Sequence, residues 1–487
     1  MIMAAIHMSP FSGTWYPGEA ETLNRLLDEL FERSEERTGP YLFPDGIGFV
    51  VPHAGPQYSG AVAASVYRSL RRQQPERIIV LAFPHRGVLR QAAVPQVETI
   101  ATPLGPLEMD GSLAARFASV AERLVCDHSF EIQLPFLQKA APRARISPLY
   151  VGALDEHARR KAAETLASEW RPGTVFLASS DFTHYGESFD YVPFPMDDQI
   201  ALRLQQLDFE SMDASGSLDS ALFLRSLAET GDTVCGSEPI ALLLDTLQLL
   251  HPDDLYQATL DYQTSGELTG DFHHCVSYAA LGYYIRTVFA LAVPDQDALL
   301  QSAGATLNHF QETGERRPAL CRAGSPALQA RRGVFVSLHR GSELLGCVGT
   351  YQSRSSLTES VPELALSAAL DDPRFSSGAA LEGAFDIEIS VLTPMRQIAG
   401  PHRIEVGRHG ALLQVGPRSG ILLPQVAPRY GWTAAQFLEA LERKSGAEAK
   451  NPRARLYVFE AESFSRPGLP GQSGNSPDSP GRSVRSV

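Results

Sequence analysis

Four short runs are almost wholly apolar and rich in β-branched residues: Ile47–Val51 (IGFVV), Arg77–Ala82 (RIIVLA), Ile146–Val151 and Thr174–Ala178 (TVFLA). None alternates strictly between polar and apolar positions, which predicts strands covered on both faces. Between them the apolar positions take a helical spacing. Val62, Val66 and Leu70 repeat at i, i+4 and i+8, and Arg71 and Arg72 close the pattern. His157–Trp170 and Ser217–Thr230 predict two further helices. Strand–helix alternation predicts an α/β layered domain with a largely buried sheet, and Cys275–Ile285 reads as its last strand.

The pattern breaks at Pro294, after which Leu299, Leu300, Ala303 and Leu307 share one helical face. Gly333–Leu338, Cys347–Tyr351, Phe385–Leu392, Gly410–Gln414 and Arg455–Ala461 predict strands separated by frequent turns, an α+β texture. Thr433 and Gln436 form a capping box before Phe437, Leu438 and Leu441. The end of the chain is rich in Pro, Ser and Gly with little to bury, the composition of a disordered tail.

A chain of 487 residues is too long for one ordinary core, so two domains are expected. The formal net charge of −14 argues against a general nucleic-acid or anionic-membrane binder, which needs a basic face. Five widely spaced cysteines with no CxxC pair suggest neither a disulfide framework nor a zinc ribbon. Met1–Trp15 lacks the pattern of a secretory signal. No uncharged apolar run reaches the roughly 18–20 residues of a membrane span. A cytoplasmic protein with reduced thiols is expected.

The candidate chemistry lies just after the predicted strands, where an open α/β sheet places its sites. His53 follows the first run and precedes Ala54 and Gly55, and His85 follows the second. Each imidazole could bind a metal or cap a turn through a backbone carbonyl. Asp181 and His184 follow the fourth run, so His184 could ligate or act as an acid/base with Asp181 fixing its tautomer. Asp181 could equally be a helix N-cap. His128 and Glu131 at i, i+3 share a helical face, as ligands or as a buried pair. Cys235 stands just before a predicted helix, where a lowered thiol pKa would suit metal ligation or redox chemistry. A small buried Cys is the alternative. His7, His157, His251 and His309 lack such context and read as surface residues.

Six stretches resemble the Memo family, in family order over roughly residues 8–288. They are GTWYP from Gly13, PHAGPQYSGAVAA from Pro52, DHSFEIQLPFLQ from Asp127, YVGAL from Tyr150, SSDFTHYG from Ser179 and DTVCGSEPI from Asp232. The resemblance implies a fold like the LigB-type class III extradiol dioxygenases, a layered sheet with helices on both faces. It implies a metal site at His53, His85 and Cys235, an acid/base pair at His184 and Asp181, and a further pocket residue at His128. Pro56 stands where the family usually has Tyr, and Phe83-Pro84 replaces its usual residues before the second His, with Arg86 and Gly87 following. The dioxygenases themselves use a carboxylate where Cys235 stands, and a thiolate favours more covalent metal binding.

Residues 297–463 resemble the AMMECR family through RGVFVSLHRGSELLGCVGTY from Arg332, FDIEISVLTPM from Phe385 and the long stretch from Ile404 to Trp432. Leu345 replaces that family's usual Arg, which removes a cation from its cleft, and Cys347, Arg418 and His409 are its candidate pocket residues. The expected layout is a Memo (LigB dioxygenase-like) domain over 1–290, a linker at 291–297, an AMMECR domain over 298–464 and a disordered tail at 465–487. The pairing of domains resembles proteins of the AmmeMemoRadiSam system, which implies a radical S-adenosylmethionine (radical SAM) enzyme as partner. The chain lacks the CxxxCxxC motif of that enzyme. The leading expectation is a non-haem metal-dependent, dioxygenase-like oxidoreductase, with Fe(II) ahead of copper or zinc and an unknown small-molecule or peptide ligand. A non-catalytic accessory module and a zinc-dependent hydrolase are the alternatives.

Overall fold

The apolar runs form the centre of a nine-stranded sheet: β1 (Gly46–Val51), β2 (Arg77–Ala82), β3 (Arg145–Val151), β4 (Thr174–Ser179) and β5 (Cys275–Ile285), in the order β5-β1-β4-β2-β3. This computed structural model describes residues 6–39, 43–86, 88–251, 254–321, 325–451 and 453–467. β1 is parallel to β4, β4 to β2 and β2 to β3, so four strands finish at one edge of the sheet. β5 pairs with β1 antiparallel and forms a long hairpin with Leu255–Thr264.

Why the runs do not alternate is visible in the packing. Phe49, Val51, Ile78, Val80 and Ala82 enter one apolar core with α1 (Pro56–Gln73), while Val50, Ile79 and Leu81 enter a second with α2 (Ser237–Leu250). Both faces of each strand are therefore apolar. Pro56 sits in the first turn of α1, where its missing N–H costs nothing and its fixed φ suits the helix. Gly48 admits α2 against β1, since a Cβ there would lie 2.9 Å from Leu247 and 3.0 Å from Leu243.

The predicted helices occur at Glu156–Glu169, capped by Asp155, and at Ser220–Thr230, capped by Asp219. The helix Ile200–Gly216 and the strand Leu255–Thr264 were not predicted. Both are half-buried and carry polar residues inward, including Asp208, Asp213 and Gln257, which masks their periodicity.

Two four-stranded antiparallel sheets follow, the α+β arrangement read from the turn-rich texture. Val334–Arg340, Glu343–Thr350, Asp386–Leu392 and Ala461–Pro467 pack with the helices Val293–Thr313 and Leu357–Leu370. Leu345 is buried in that apolar core, so its replacement of Arg is a packing change. Arg396–Ile398, Gly410–Val415, Arg418–Leu422 and Ala454–Phe459 carry the helix Ala434–Ser445, which opens on the predicted Thr433/Gln436 capping box. The last strand takes residues 465–467 of the expected tail into the sheet, and the rest of that tail lies outside the described residues.

The chain forms two compact units, residues 1–290 with 393–460, and residues 291–392 with 461–487. Residues 393–460 join the first unit through a specific anchor. Asp213, almost wholly buried, accepts hydrogen bonds from Arg396, Arg403 and the backbone N–H of Ala399. Among the described residues no helix is long and apolar enough to cross a membrane.

Candidate metal centre

Three adjacent strands, β1, β4 and β2, deliver His53, Asp181 and His85 to the same sheet edge. The turn His128–Glu131 brings a third imidazole there, N-capped by Asp127, whose carboxylate accepts the Ser129 N–H at 3.0 Å. Ring centroids are 5.1 Å apart for His53 and His85, 5.2 Å for His53 and His128, and 4.2 Å for His85 and His128. One ring nitrogen from each of the three lies within 4.8 Å of the others, a spacing compatible with one metal ion. They line a cavity of about 800 Å³ that also takes in Cys235, His184 and Asp181, with Trp15, Tyr58 and Phe189 supplying aromatic wall.

Hydrogen bonding sets which nitrogen His53 and His85 present. The Ser179 hydroxyl donates to the Ser129 carbonyl and accepts from the Gln133 amide, so its 2.9 Å contact with His53 Nδ1 must be donated by the ring. His53 Nε2 is left as the lone-pair nitrogen. His85 Nδ1 bonds Asp127 Oδ2 at 3.2 Å, and the His85 backbone N–H reaches the same oxygen at 2.6 Å. A carboxylate behind a ligating imidazole is the usual way to fix its orientation. Burial pushes the Asp127 carboxyl up, but hydrogen bonds from the His85 and Ser129 side chains outweigh it and keep the group below its ordinary value.

Two of the imidazoles, His53 and His128, are held neutral, the form that binds metal. Burial and then the neighbouring His85 keep His53 well below its usual value, and His128 falls to about 3 through burial and its two imidazole neighbours. Trp15 packs against the His128 ring, with centroids 4.7 Å apart.

Cys235 Sγ lies 3.2 Å from His53 Nε2, beside the imidazole trio. Gly236 makes this possible: a Cβ there would sit 2.5 Å from the Ser179 carbonyl oxygen and from Ser180 Cβ. The expected lowering of the thiol pKa is not found. Burial pushes the thiol well up, and the adjacent Asp181 carboxylate adds to it, overriding the helix N-terminus.

His184 lines the same cavity, but Asp181 does not orient it. The Asp181 carboxylate accepts the backbone N–H of His53 at 2.8 Å and of Ala54 at 3.4 Å. Thr233 orients His184 instead: its carbonyl meets Nδ1 at 3.1 Å, and its hydroxyl accepts the His184 N–H at 2.7 Å. A carbonyl only accepts, so Nδ1 carries the proton and Nε2 is the basic nitrogen. Behind this clamp lies a group that sequence reading missed. The Thr183 hydroxyl is 2.6 Å from Asp208 Oδ1 and 2.8 Å from Asp232 Oδ1. One hydroxyl proton cannot serve both oxygens, so one carboxyl keeps a proton. Burial and then Asp232 raise Asp208 to about 7.

Other expectations resolve differently. Glu131 pairs with His7 at 2.9 Å, so the shared face with His128 is not a bonded pair and His7 is not a bare surface residue. The Arg86 guanidinium lies over the Phe11 ring at 6.0 Å, and Gly87 lies outside the described residues. Arg418 bonds the Gly446 carbonyl at a helix end, a structural role. The Cys347 backbone N–H bonds Asp372 at 2.8 Å, and Asp372 pairs with Arg374.

Residues 8–282 match the family described as Memo-like protein. The chain belongs to that family. An AMMECR1 domain follows over residues 300–464. A MEMO1 family protein of Methanosarcina mazei is 34% identical over 280 residues, covering 55% of this chain and 96% of that protein. One from Thermococcus onnurineus is 30% identical over 286 residues, with coverage of 55% and 96%. Protein MEMO1 of Mus musculus is 28% identical over 284 residues, with coverage of 55% and 94%. A crystal structure of an uncharacterized protein from Pyrococcus horikoshii matches at 32% identity and a TM-score of 0.32, covering 34% of this chain and 89% of that one. In this Memo-like chain the six stretches quoted above supply the strand ends, caps and turns that assemble the cavity.

Proposed function

We propose that this Memo-like chain is a metal-dependent, dioxygenase-like oxidoreductase whose metal is held by His53, His85 and His128, with Cys235 as the adjacent sulfur donor. The convergence of three imidazoles on one cavity wall carries the proposal. The donor set fits a metal: imidazole suits iron, copper and zinc, and three protein ligands facing an open cavity leave room for a further ligand. Iron is our first choice, because the sequence resemblance to the Memo family implies a LigB-like fold. A bound iron or copper would supply one-electron chemistry toward dioxygen, and zinc would supply Lewis acidity.

The chain's own residues do the rest. Ser179 and Asp127 hold the first two imidazoles with Nε2 available. The packed strand ends close the cavity on the sheet side, and Trp15 packs on the His128 ring at its mouth. His184 Nε2, oriented by Thr233, accepts a proton from an acidic group of the ligand or returns one to it. Trp15, Tyr58 and Phe189 give the ligand an apolar wall, which favours an organic molecule or peptide side chain.

The test is metal analysis of anaerobically purified protein. About one metal per chain is expected in the parent and loss of it in His53→Ala/His128→Ala, with His184→Gln keeping the metal. Full occupancy in the double variant would end the proposal. Dioxygen consumption by the iron form, absent in the zinc form, would separate the oxidoreductase from the hydrolase and accessory readings. We further propose that the chain works beside a radical SAM enzyme, on the strength of its two-domain makeup. Co-expression with such an enzyme and tagged recovery of a stoichiometric complex tests this; no complex would refute it.

A further inference from the structure

The first compact unit has a second cavity of about 450 Å³, which shares no lining residue with the first. Its wall is built by the end of the helix Ile200–Gly216, the start of Leu255–Thr264, Arg286, and residues 396–409 with Glu460. It therefore draws on both family regions of the chain.

Four arginines face it: Arg286, Arg396, Arg403 and Arg408. Three carboxylates meet them. Asp213 takes Arg396 and Arg403, Glu460 takes Arg286 and Arg408, and Glu405 takes Arg408 at 2.9 Å. In these pairs four guanidiniums meet three carboxylates, with Asp254 also within electrostatic reach of Glu460, in a chain whose net charge is −14. Each guanidinium has five N–H donors, and the carboxylates use only part of them. Arg286 Nε is buried with no partner at all.

The arrangement is held rigid from behind. Asp213, 1% exposed, fixes Arg396 and Arg403 from behind the cavity lining. His409 Nδ1 accepts the Glu405 N–H at 3.1 Å, and its ring also bonds the Arg403 backbone. This braces the loop that carries Arg403 and Arg408. Gln257, 3% exposed, bonds the Met212 carbonyl and Ser215 through Nε2 and leaves Oε1 without a partner. Gly216 keeps the floor open, because a Cβ there would lie 2.8 Å from Gln257 Oε1 and 3.0 Å from Arg396 Nη1.

We infer that this cavity binds a small oxyanion, a phosphate or carboxylate group, between the guanidiniums of Arg286, Arg403 and Arg408. Planar guanidinium forks match both anions. The Gln257 carbonyl oxygen would accept from a hydroxyl or protonated oxygen of the ligand. The site is independent of the metal proposal.

Calorimetric titration of the full chain with inorganic phosphate, and separately with succinate, at low ionic strength tests it. Saturable 1:1 binding of either anion is expected, and the tighter of the two assigns the group. Arg408→Gln should weaken it about tenfold or more. Glu405→Gln, which removes a competing carboxylate, should tighten it, a gain that misfolding cannot imitate. Arg418→Gln and His53→Ala should leave it unchanged. No saturable heat with either anion would overturn the proposal, as would affinity indifferent to Arg408→Gln and Glu405→Gln.

Discussion

At the scale of single residues, the proposed metal centre depends on hydroxyl and carboxylate groups that stand behind its imidazoles. Ser179 spends its one proton on Ser129 and so forces His53 Nδ1 to be the donor. Ser179→Ala is expected to leave the fold intact and to weaken metal binding about 10–100-fold, the usual cost of losing such support. A competitive chelator titration would measure it; an unchanged affinity would show that the tautomer is set elsewhere. Acid sensitivity follows from the same neutral rings. Because the folded value of His128 lies near 3, the unfolded chain binds protons first as pH falls below about 6.5. Stability of the metal-free protein should be full above that pH and decline steadily toward pH 3. Urea midpoints across this range should flatten in His128→Asn. The residue-level surprises have one origin: sequence position near a helix start suggested an acidic thiol at Cys235, whereas burial and Asp181 decide its ionisation.

At the scale of elements, the sheet edge was legible because strands buried on both faces leave unmistakable apolar runs, and His53, Asp181 and His85 follow three of them. What the runs could not tell was their order. The sequence β1-β4-β2 of neighbouring strands places His53 and Asp181 side by side, so the carboxylate caps the His53 turn instead of serving His184. The Thr183 link between Asp208 and Asp232 was likewise hidden, since Asp208 lies on a helix whose apolar periodicity is weak. The joint between β4 and α2 is tight enough to require glycine. Gly236→Val should cost about 1–3 kcal/mol of stability by overpacking. Because Cys235 would be displaced with it, the same variant should bind metal more weakly, and chemical denaturation with metal titration would read both effects. A fully stable Gly236→Val protein would mean the close contact with Ser179 and Ser180 is not rigid.

At the scale of the whole molecule, the linear family order and the compact units do not coincide. Residues 393–460 belong to the AMMECR1 stretch, yet they cluster with residues 1–290 around buried Asp213. Nothing in the sequence near Asp213 marks it, because its partners Arg396 and Arg403 lie over 180 residues away. Asp213→Ala leaves two guanidiniums without their carboxylate. Loss of a buried ion-pair partner costs about 3–5 kcal/mol, and urea unfolding should show that loss. Limited proteolysis should then cut first between residues 393 and 460. An unaltered midpoint would show that the apolar contacts alone anchor the segment.

The central claim is that three imidazoles hold one metal. X-ray absorption at the metal edge of anaerobically Fe(II)-loaded protein tests it most directly. The account predicts at least three nitrogen scatterers with the outer-shell pattern of imidazole, and any sulfur contribution assigns Cys235 to the ion. An all-oxygen environment without imidazole scattering, or a spectrum unchanged in His53→Ala/His128→Ala, would contradict it.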